Sequence, residues 1–286
     1  MPDSPRNPTR NNRSVAWLNS HGEVTHHEPG ILPIYSIAKT MIASAIVATQ
    51  IDLDAEIDTW ISEKWLPSPG GITVRHLLHH SAGIKDYFMC AAYNQAILDN
   101  DAPWTDERYA QETLHQPKLF PPGTNFSYAN PGYWLLKEIL EVIHQQAWPE
   151  ILRHIITDPL NMQQTTVASG QFADHLLTYD AKWVWHGVIL SSALDVARFM
   201  ASTLVTPLTS SLQKIPQQHP HWKDPHYGLG VMIEPGVMYG HNGGGPGYTA
   251  AAYHFGVSGV TGCVLLPGEK TDGALLELLK MKKGSE

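Results

Sequence analysis

The chain has strand-like segments at both ends and helix-like segments between them. Near the start, SVAWLN and VTHHE flank the turn SHGE, which predicts a hairpin. From about residue 72 to about 160, most segments have the spacing of amphipathic helices. Strand-like runs return in YGLGVMIE, MYGHNGG, YTAAAYHF and GVTGCVLLP, before a closing helix in DGALLELLKMKK. The pattern predicts an α/β (α+β) fold, in which an antiparallel sheet takes strands from both ends of the chain, is flanked by helices and has a mainly helical lobe inserted.

Composition and charge restrict the possible partners. The chain has 286 residues, of which 43% are hydrophobic, enough to bury a substantial core. Its net charge is −8, and no run of lysine or arginine is present, so we expect neither a nucleic-acid nor a membrane partner. The polar start MPDSPRNPTRNNRS lacks the apolar core of an export signal, so we expect a cytoplasmic location. Cys90 and Cys263 are too few for a disulfide framework and are expected to be buried thiols.

The segment PIYSIAKTMIASAIV contains a serine and a lysine three residues apart, Ser36 and Lys39. A helix that starts near Ser36 and runs to about Gln50 places both side chains on one face. Free N–H groups of the first turn favour negative charge near the serine, and burial lowers the pKa of a lysine until it can act as a base. The alternative is a helix-capping serine and a lysine whose amine reaches solvent. A further amphipathic segment is expected to begin in IDLDAEIDTWI.

Two further motifs are candidates for a site. In FPPGTNFSYANPGYWLL, Tyr128 and Asn130 follow a Pro/Gly-rich loop and precede a helix expected to start at Pro131 or Gly132. A tyrosine there can shuttle a proton, and an asparagine can hold a lysine and a substrate amide. Taken alone, the motif is more often a turn tyrosine and an asparagine that caps the next helix. In YGHNGGGPGY, His241 precedes a glycine run that exposes backbone N–H groups, or that simply forms a turn.

Together, the three motifs resemble the serine β-lactamase and penicillin-binding-protein superfamily, with its S-x-x-K sequence. ITVRHLLHHSAGI, GVILSSALDVARFM and YGLGVMIE are also similar to segments of its branch of class C β-lactamases, D-stereospecific peptidases and esterases. The resemblance covers about residues 14 to 280. It implies one β-lactamase/transpeptidase-like catalytic domain over 1–286, with a sheet lobe of about 13–50 and 190–286 and a helical lobe of about 51–189.

The same resemblance implies roles for individual residues. Ser36 would be the acylated nucleophile, Lys39 its proton partner and Tyr128 the general acid/base, with lysine and tyrosine both open as the base of acylation. The backbone N–H groups of Ser36 and Gly244 would form the oxyanion hole. The implied substrate-binding residues are Asn130, His241, Gly243, Tyr87 and Trp185, with Gly243 keeping its strand clear of side chains.

Other histidines and aromatic residues lie near these motifs. His76 and His80 have helical spacing, but neither an HExxH glutamate nor a third ligand accompanies them, so we expect structural roles and no metal or other cofactor. Trp183, Trp185 and His186 precede GVILSS, where the family's chain passes the cleft, and are candidates for its lining or for the core.

The resulting hypothesis is a serine hydrolase that forms an acyl-enzyme on a small-molecule ester, amide or peptide, as a carboxylesterase or D-amino-acid peptidase. One alternative is a β-lactamase or D-alanyl-D-alanine carboxypeptidase. Another is a non-catalytic ligand-binding member of the fold. His241, where relatives often have a lysine, is expected to titrate near its usual pKa of about 6.5 and to bind a substrate carboxylate only weakly.

Overall fold

A computed structural model describes residues 13–169, 180–217, 221–268, 270 and 272–283. The predicted hairpin is present, since β1 (Ser14–Leu18) and β2 (Val24–Glu28) pair antiparallel. After β3 (Ile31–Pro33), a 3₁₀ turn (Tyr35–Ile37) leads into α1 (Ala38–Ala48). The α-helix therefore begins two residues after Ser36, and the serine lies in the turn before it. The polar start of the sequence falls in residues 1–12, outside the described part.

The middle of the described chain is mainly helical. Its helices are α2 (Val74–Leu78), α3 (Ala91–Leu98), α4 (Asp106–Thr113), α5 (Asn130–His144) and α6 (Trp148–Leu152), the last extended by a π-helical turn, Arg153–Thr157. IDLDAEIDTWI contains turns, a β-bridge from Glu56 to Thr73 and a 3₁₀ helix, Ile57–Thr59, and its partly buried and exposed residues alternate over 51–56, as expected of an amphipathic segment. Residues 55 and 57 hydrogen-bond through their backbones to residues 74 and 72.

The remaining elements return the chain to the sheet. They are β4 (Thr166–Val167), β5 (Ile189–Ser192), α7 (Ala193–Met200), β6 (Gln213–Lys214), β7 (His226–Tyr227), β8 (Met232–Glu234), β9 (Met238–Gly245), β10 (Tyr248–Phe255), β11 (Val260–Pro267) and α8 (Gly273–Lys283). One antiparallel sheet has the order β2-β1-β11-β10-β9-β8-β7-β6, which confirms the predicted fold class. The sequence pattern did not predict the second, three-stranded sheet, β3-β5-β4.

The two faces of the large sheet contact different helices. Along β10, Ala250 and Ala252 belong to the main core, which also contains α1 and α5, whereas Ala251 and Tyr253 pack against α8. Alternate strand residues point to opposite faces, so both faces of this central strand are covered. The main core joins the sheet to the helices of the middle region, and the 3₁₀ turn before α1 packs against β9. Cys90 and Cys263 are both buried and unpaired, as predicted.

No helix in the described ranges has the length and apolar character that a membrane crossing requires.

Candidate active site

Ser36 lies on a sharply turned segment between β3 and α1. The preceding residue, Tyr35, has a φ of 45°, a left-handed conformation that costs energy for a bulky side chain. The Tyr35 hydroxyl donates a hydrogen bond of 2.5 Å to the carbonyl oxygen of Pro246, in the turn between β9 and β10. This contact ties the serine turn to the end of β9 and leaves Ser36 partly exposed in a cleft.

Lys39 is fully buried directly below the serine. Its Nζ lies 3.2 Å from Ser36 Oγ, 2.6 Å from Asn130 Oδ1 and 3.1 Å from His186 Nε2. Burial disfavours the ammonium form and lowers the pKa of Lys39 to about 7, while the carboxylate of Asp86 opposes this effect. The amine is therefore poised to accept a proton from the serine near neutral pH.

Tyr128, which belongs to the second motif, covers the lysine. Lys39 Nζ lies 5.1 Å from the centroid of the Tyr128 ring. Burial raises the pKa of the Tyr128 hydroxyl, and its hydrogen bond with Ser36 works in the opposite direction. Below Tyr128 lies the ring of His80, with centroids 4.1 Å apart, and His80 Nδ1 accepts a hydrogen bond from the backbone N–H of Ala129. The predicted structural role of His80 is thus to support the tyrosine loop.

Asn130 is the first residue of α5, one residue before the predicted start. Its backbone N–H and its side-chain Nδ2 both donate to Asp86 Oδ2, at 2.5 and 2.9 Å. Because Nδ2 is engaged there, the amide oxygen Oδ1 faces Lys39. Asp86 is itself buried, and this burial raises the pKa of its carboxyl group. The hydrogen bonds from Asn130 and Phe88 lower the pKa, but their effect is smaller.

His241 lies on β9 and lines the cleft, but its titration differs from the expectation. Its Nδ1 hydrogen-bonds the carbonyl oxygen of Asn242 at 2.5 Å, which makes Nδ1 the protonated nitrogen, and Nε2 accepts from the hydroxyl of Tyr227 at 2.8 Å. Burial lowers the pKa of His241 to about 3. The expected titration near 6.5 was therefore wrong, and the neutral ring has no free N–H for a substrate carboxylate.

The glycines of β9 differ in their surroundings. A Cβ at Gly243 would lie 2.3 Å from the carbonyl oxygen of Ile34, so glycine is what lets β9 approach the serine turn. Gly243 packs against this turn and does not line the cleft, which corrects its assignment to the substrate-binding set. Gly244 does line the cleft together with Ser36, so both residues of the predicted oxyanion hole face one cavity.

The cleft has a volume of about 800 Å³ and a largely apolar wall. Tyr87 lines it, next to side chains that α3 and its preceding turn contribute: Phe88, Tyr93, Ile97 and Leu98. Trp185 does not line it, contrary to the prediction, because its ring stacks on Tyr109 at 3.7 Å and its Nε1 donates to Asp106. Among the described residues that line this cleft, only Asp272, just before α8, carries a formal charge.

His76 belongs to the helix cap of α2. Its backbone N–H donates to Thr73 Oγ1, and its Nδ1 accepts from the backbone N–H of the same threonine. Within the described ranges, no group of three or more His, Cys, Asp or Glu residues is arranged to hold a metal ion.

Asp86 was not assigned to the site from the sequence, and His186 was a candidate only for the lining of the cleft, where the structure places it. Asp86 holds Asn130, and His186 contacts Lys39. The position of His186 before GVILSS placed it near the cleft, but nothing in the sequence indicated that its ring meets the lysine. For Asp86, the sequence indicates only a residue that caps the next helical turn, and its carboxylate does accept a hydrogen bond from the N–H of Phe88.

Comparisons with known proteins identify the family of this chain. A family model described as Beta-lactamase matches residues 9–278. A D-aminopeptidase of Gluconobacter oxydans is 28% identical over 120 residues, which cover 41% of this chain and 22% of that protein. A D-aminopeptidase of Cereibacter sphaeroides is 26% identical over 275 residues, which cover 84% of this chain and 51% of that protein. The chain thus spans about a fifth and about half of the lengths of these two relatives.

A solved structure has the same fold. D-amino acid amidase from Ochrobactrum anthropi SV3, complexed with L-phenylalanine amide, superimposes with a TM-score of 0.72 and 18% sequence identity. The match covers 96% of this chain and 93% of that one. This likeness confirms the predicted fold.

Proposed function

The chain belongs to the beta-lactamase family, and from this premise we propose that it is a serine hydrolase that forms an acyl-enzyme on Ser36. Its substrate is a D-amino-acid amide, a short peptide or the corresponding ester, as the D-aminopeptidase relatives suggest. The observation that carries the proposal is the contact between the Ser36 hydroxyl and the amine of a fully buried lysine, Lys39. A protein that only binds a ligand has no need of a base at this serine.

In acylation, Ser36 Oγ attacks the carbonyl carbon of the substrate and its proton passes to the neutral amine of Lys39. The electron pair of the carbonyl moves onto its oxygen, where the backbone N–H groups of Ser36 and Gly244 stabilise it. The bond to the leaving amine or alcohol then breaks, and the leaving group takes the proton of the Tyr128 hydroxyl. The Lys39 ammonium then gives its extra proton to the tyrosine oxygen. Water hydrolyses the resulting ester by the reverse sequence of proton transfers.

The pKa values favour the lysine as the base of acylation. The pKa of Lys39 is lowered to about 7, so a large fraction of the amine is neutral at physiological pH. The pKa of Tyr128 is raised, so the phenol keeps its proton and can donate it to the leaving group. This division of roles needs only the groups that lie around Ser36.

The charge of the cleft favours a substrate with a free amino group. Asp272 is the one charged side chain that the described part of the chain contributes to the lining, and His241 stays neutral because its pKa is about 3. A carboxylate would attract an ammonium group and repel the carboxylate that penicillins and D-alanyl-D-alanine peptides carry. The apolar wall beside Tyr87 offers space for an apolar side chain. The cleft thus supports an aminopeptidase or amidase over a β-lactamase or carboxypeptidase.

The test compares D-phenylalanine amide, its N-acetyl derivative and a penicillin, with ammonia release and intact mass as readouts. We expect ammonia release from the free amide above that from the N-acetyl amide, and its loss in Ser36→Ala. Asp272→Asn should reduce the preference for the free amino group. A stable penicillin adduct without amide hydrolysis would favour the β-lactamase alternative. If neither the amides nor a fluorophosphonate react at Ser36, the protein is a binding member of the fold.

A further inference from the structure

His186 is a third partner of the catalytic lysine, in addition to Ser36 and Asn130. It follows the 3₁₀ turn Ala181–Trp183 and precedes β5, and only 3% of its surface is exposed. Its Nε2 lies 3.1 Å from Lys39 Nζ. A contact this short between two nitrogens requires that one of them donates a hydrogen and the other accepts it.

The hydrogen count of Lys39 decides which nitrogen donates. An ammonium has three N–H groups and no lone pair, and three acceptors surround Nζ: Ser36 Oγ, Asn130 Oδ1 and His186 Nε2. Whenever the lysine is charged, the imidazole must therefore accept at Nε2 and carry its own hydrogen at Nδ1. The neutral amine has two N–H groups, which Asn130 and His186 continue to accept. Its lone pair is then left for the hydroxyl of Ser36.

We infer that His186 is a positioning residue for the proposed general base, because it accepts one N–H of Lys39 and so directs the lone pair of the amine toward Ser36 Oγ. The opposite tautomer, with a hydrogen on Nε2, would donate to that lone pair and block proton transfer from the serine. The Nδ1–H tautomer serves the charged and the neutral lysine without any movement of the ring. Asn130 fills the other acceptor position because Asp86 holds its amide.

The surroundings of His186 keep its ring neutral. Burial and the nearby charge of Lys39 hold the pKa of His186 well below its usual value. The other titratable groups that influence the ring are His80 and His241, whose pKa values are also lowered by burial. Among the described residues, no group accepts a hydrogen bond from Nδ1, so Lys39 is the partner that sets the tautomer.

The inference rests on the proposed role of Lys39 as a base, and it is tested with two variants of similar size. His186→Gln keeps an acceptor oxygen near the position of Nε2, whereas His186→Leu fills the space without one. In single-turnover acylation by a p-nitrophenyl ester, His186→Leu should lower the maximum rate roughly tenfold to a hundredfold, the effect of one charge-assisted hydrogen bond. The substrate concentration at half-maximal rate should change little. His186→Gln should keep the rate within about threefold, because its oxygen replaces the acceptor.

A second readout does not depend on any reaction. The titration of Lys39 can be followed by NMR with isotope-labelled lysine, and the Lys39→Met variant identifies its signal. The ammonium donates a stronger hydrogen bond than the amine, so His186→Leu should lower the pKa of Lys39 by about one unit more, and His186→Gln should restore it. The groups that face the lysine and must be unchanged in this comparison are Ser36, Asp86, Tyr128, Asn130 and Tyr133.

A slower acylation with an unchanged Lys39 titration would overturn the inference, since His186 would then act only through packing. Unchanged acylation in His186→Leu would overturn it as well. If no acyl donor reacts with the wild-type protein, the proposed function fails, while the lysine titration still tests the contact. Should His186→Leu not fold, His186→Asn replaces it, because its shorter amide cannot reach Nζ.

Discussion

A single oxygen of Asp86, Oδ2, accepts hydrogen bonds from both the backbone and the side-chain amide of Asn130. This pair links the turn before α3 to the start of α5, across 44 residues of sequence. It also fixes which end of the Asn130 amide faces Lys39.

Replacement of Asp86 by asparagine should therefore disturb both the site and the fold. Both carboxylate oxygens are in use, one by Asn130 and one by the N–H of Phe88, so the NH₂ group of an asparagine must face one of these donors and one of the two contacts is lost. We expect a fall in acylation rate of about tenfold or more and a loss of about 2 kcal/mol in the free energy of unfolding. Denaturant unfolding and single-turnover kinetics measure the two effects. Asp54→Asn, at an exposed carboxylate paired with Arg75, is the control and should change neither. Wild-type values in Asp86→Asn would contradict this account.

The pH dependence of acylation should follow the titration of Lys39. The lowered pKa of about 7 means that the lysine is protonated and inactive as a base at lower pH. The acylation rate should rise tenfold per pH unit below about pH 7 and level off above it. Stopped-flow release of p-nitrophenol from a neutral ester measures this profile. Lys39→Met should acylate at least about a hundredfold more slowly. Its profile should also lack the acid limb, which is the rise in rate below about pH 7. An acid limb that survives in Lys39→Met would assign the base to another group.

His241 should not contribute to pH dependence in the physiological range. Because its pKa is lowered to about 3, it stays neutral from about pH 5 to 9. The ratio of kcat/KM for a carboxylate-bearing ester to that for a matched neutral ester should be constant over this range, since both depend on Lys39 alike. A change of this ratio near pH 6.5 that disappears in His241→Gln would restore the titration expected from the sequence.

Gly243→Ala should separate β9 from the serine turn. The added methyl group would lie 2.3 Å from the backbone oxygen of Ile34, so the strand or the turn must shift. We expect a loss of about 1–3 kcal/mol in unfolding free energy, as for other overpacked sites, together with slower acylation. Gly256→Ala is the matched control, since a Cβ there meets its nearest atom at 3.8 Å. Equal behaviour of the two variants in thermal unfolding and acylation would show that β9 tolerates a side chain here.

Local sequence patterns predicted the elements whose signals are local. The hairpin at β1 and β2 and the run from β8 to β11 have alternation and turn residues that identify strands. The amphipathic pattern of IDLDAEIDTWI belongs to turns that hydrogen-bond to the start of α2, a pairing that the sequence pattern did not specify. The three-residue spacing of Ser36 and Lys39 allowed their contact, and the other motifs and the resemblance were needed to prefer it over a cap and a lysine that reaches solvent.

Contacts between residues far apart in sequence could not be predicted from local patterns. Asp86 and His186 meet Asn130 and Lys39 across 44 and 147 residues, and no periodic pattern encodes these distances. The pKa of His241 was misjudged for a similar reason, because it depends on burial and on the nearby charge of Lys39, which belongs to a distant helix. The resemblance supplied the motif residues, whereas the groups that orient them appear only in the folded chain.

The strand order has a consequence for how the molecule forms during synthesis. β1 pairs with β11, so Ser14 must wait for Leu265 to leave the ribosome before that ladder closes. The segment with Ser36 and Lys39 is made early, while β9, which supplies part of the wall of the cleft, is made late. Pairings this distant in sequence slow folding and leave apolar strands exposed meanwhile. The nascent chain therefore has its nucleophile long before it has a cleft, and the site is completed among the last events of folding.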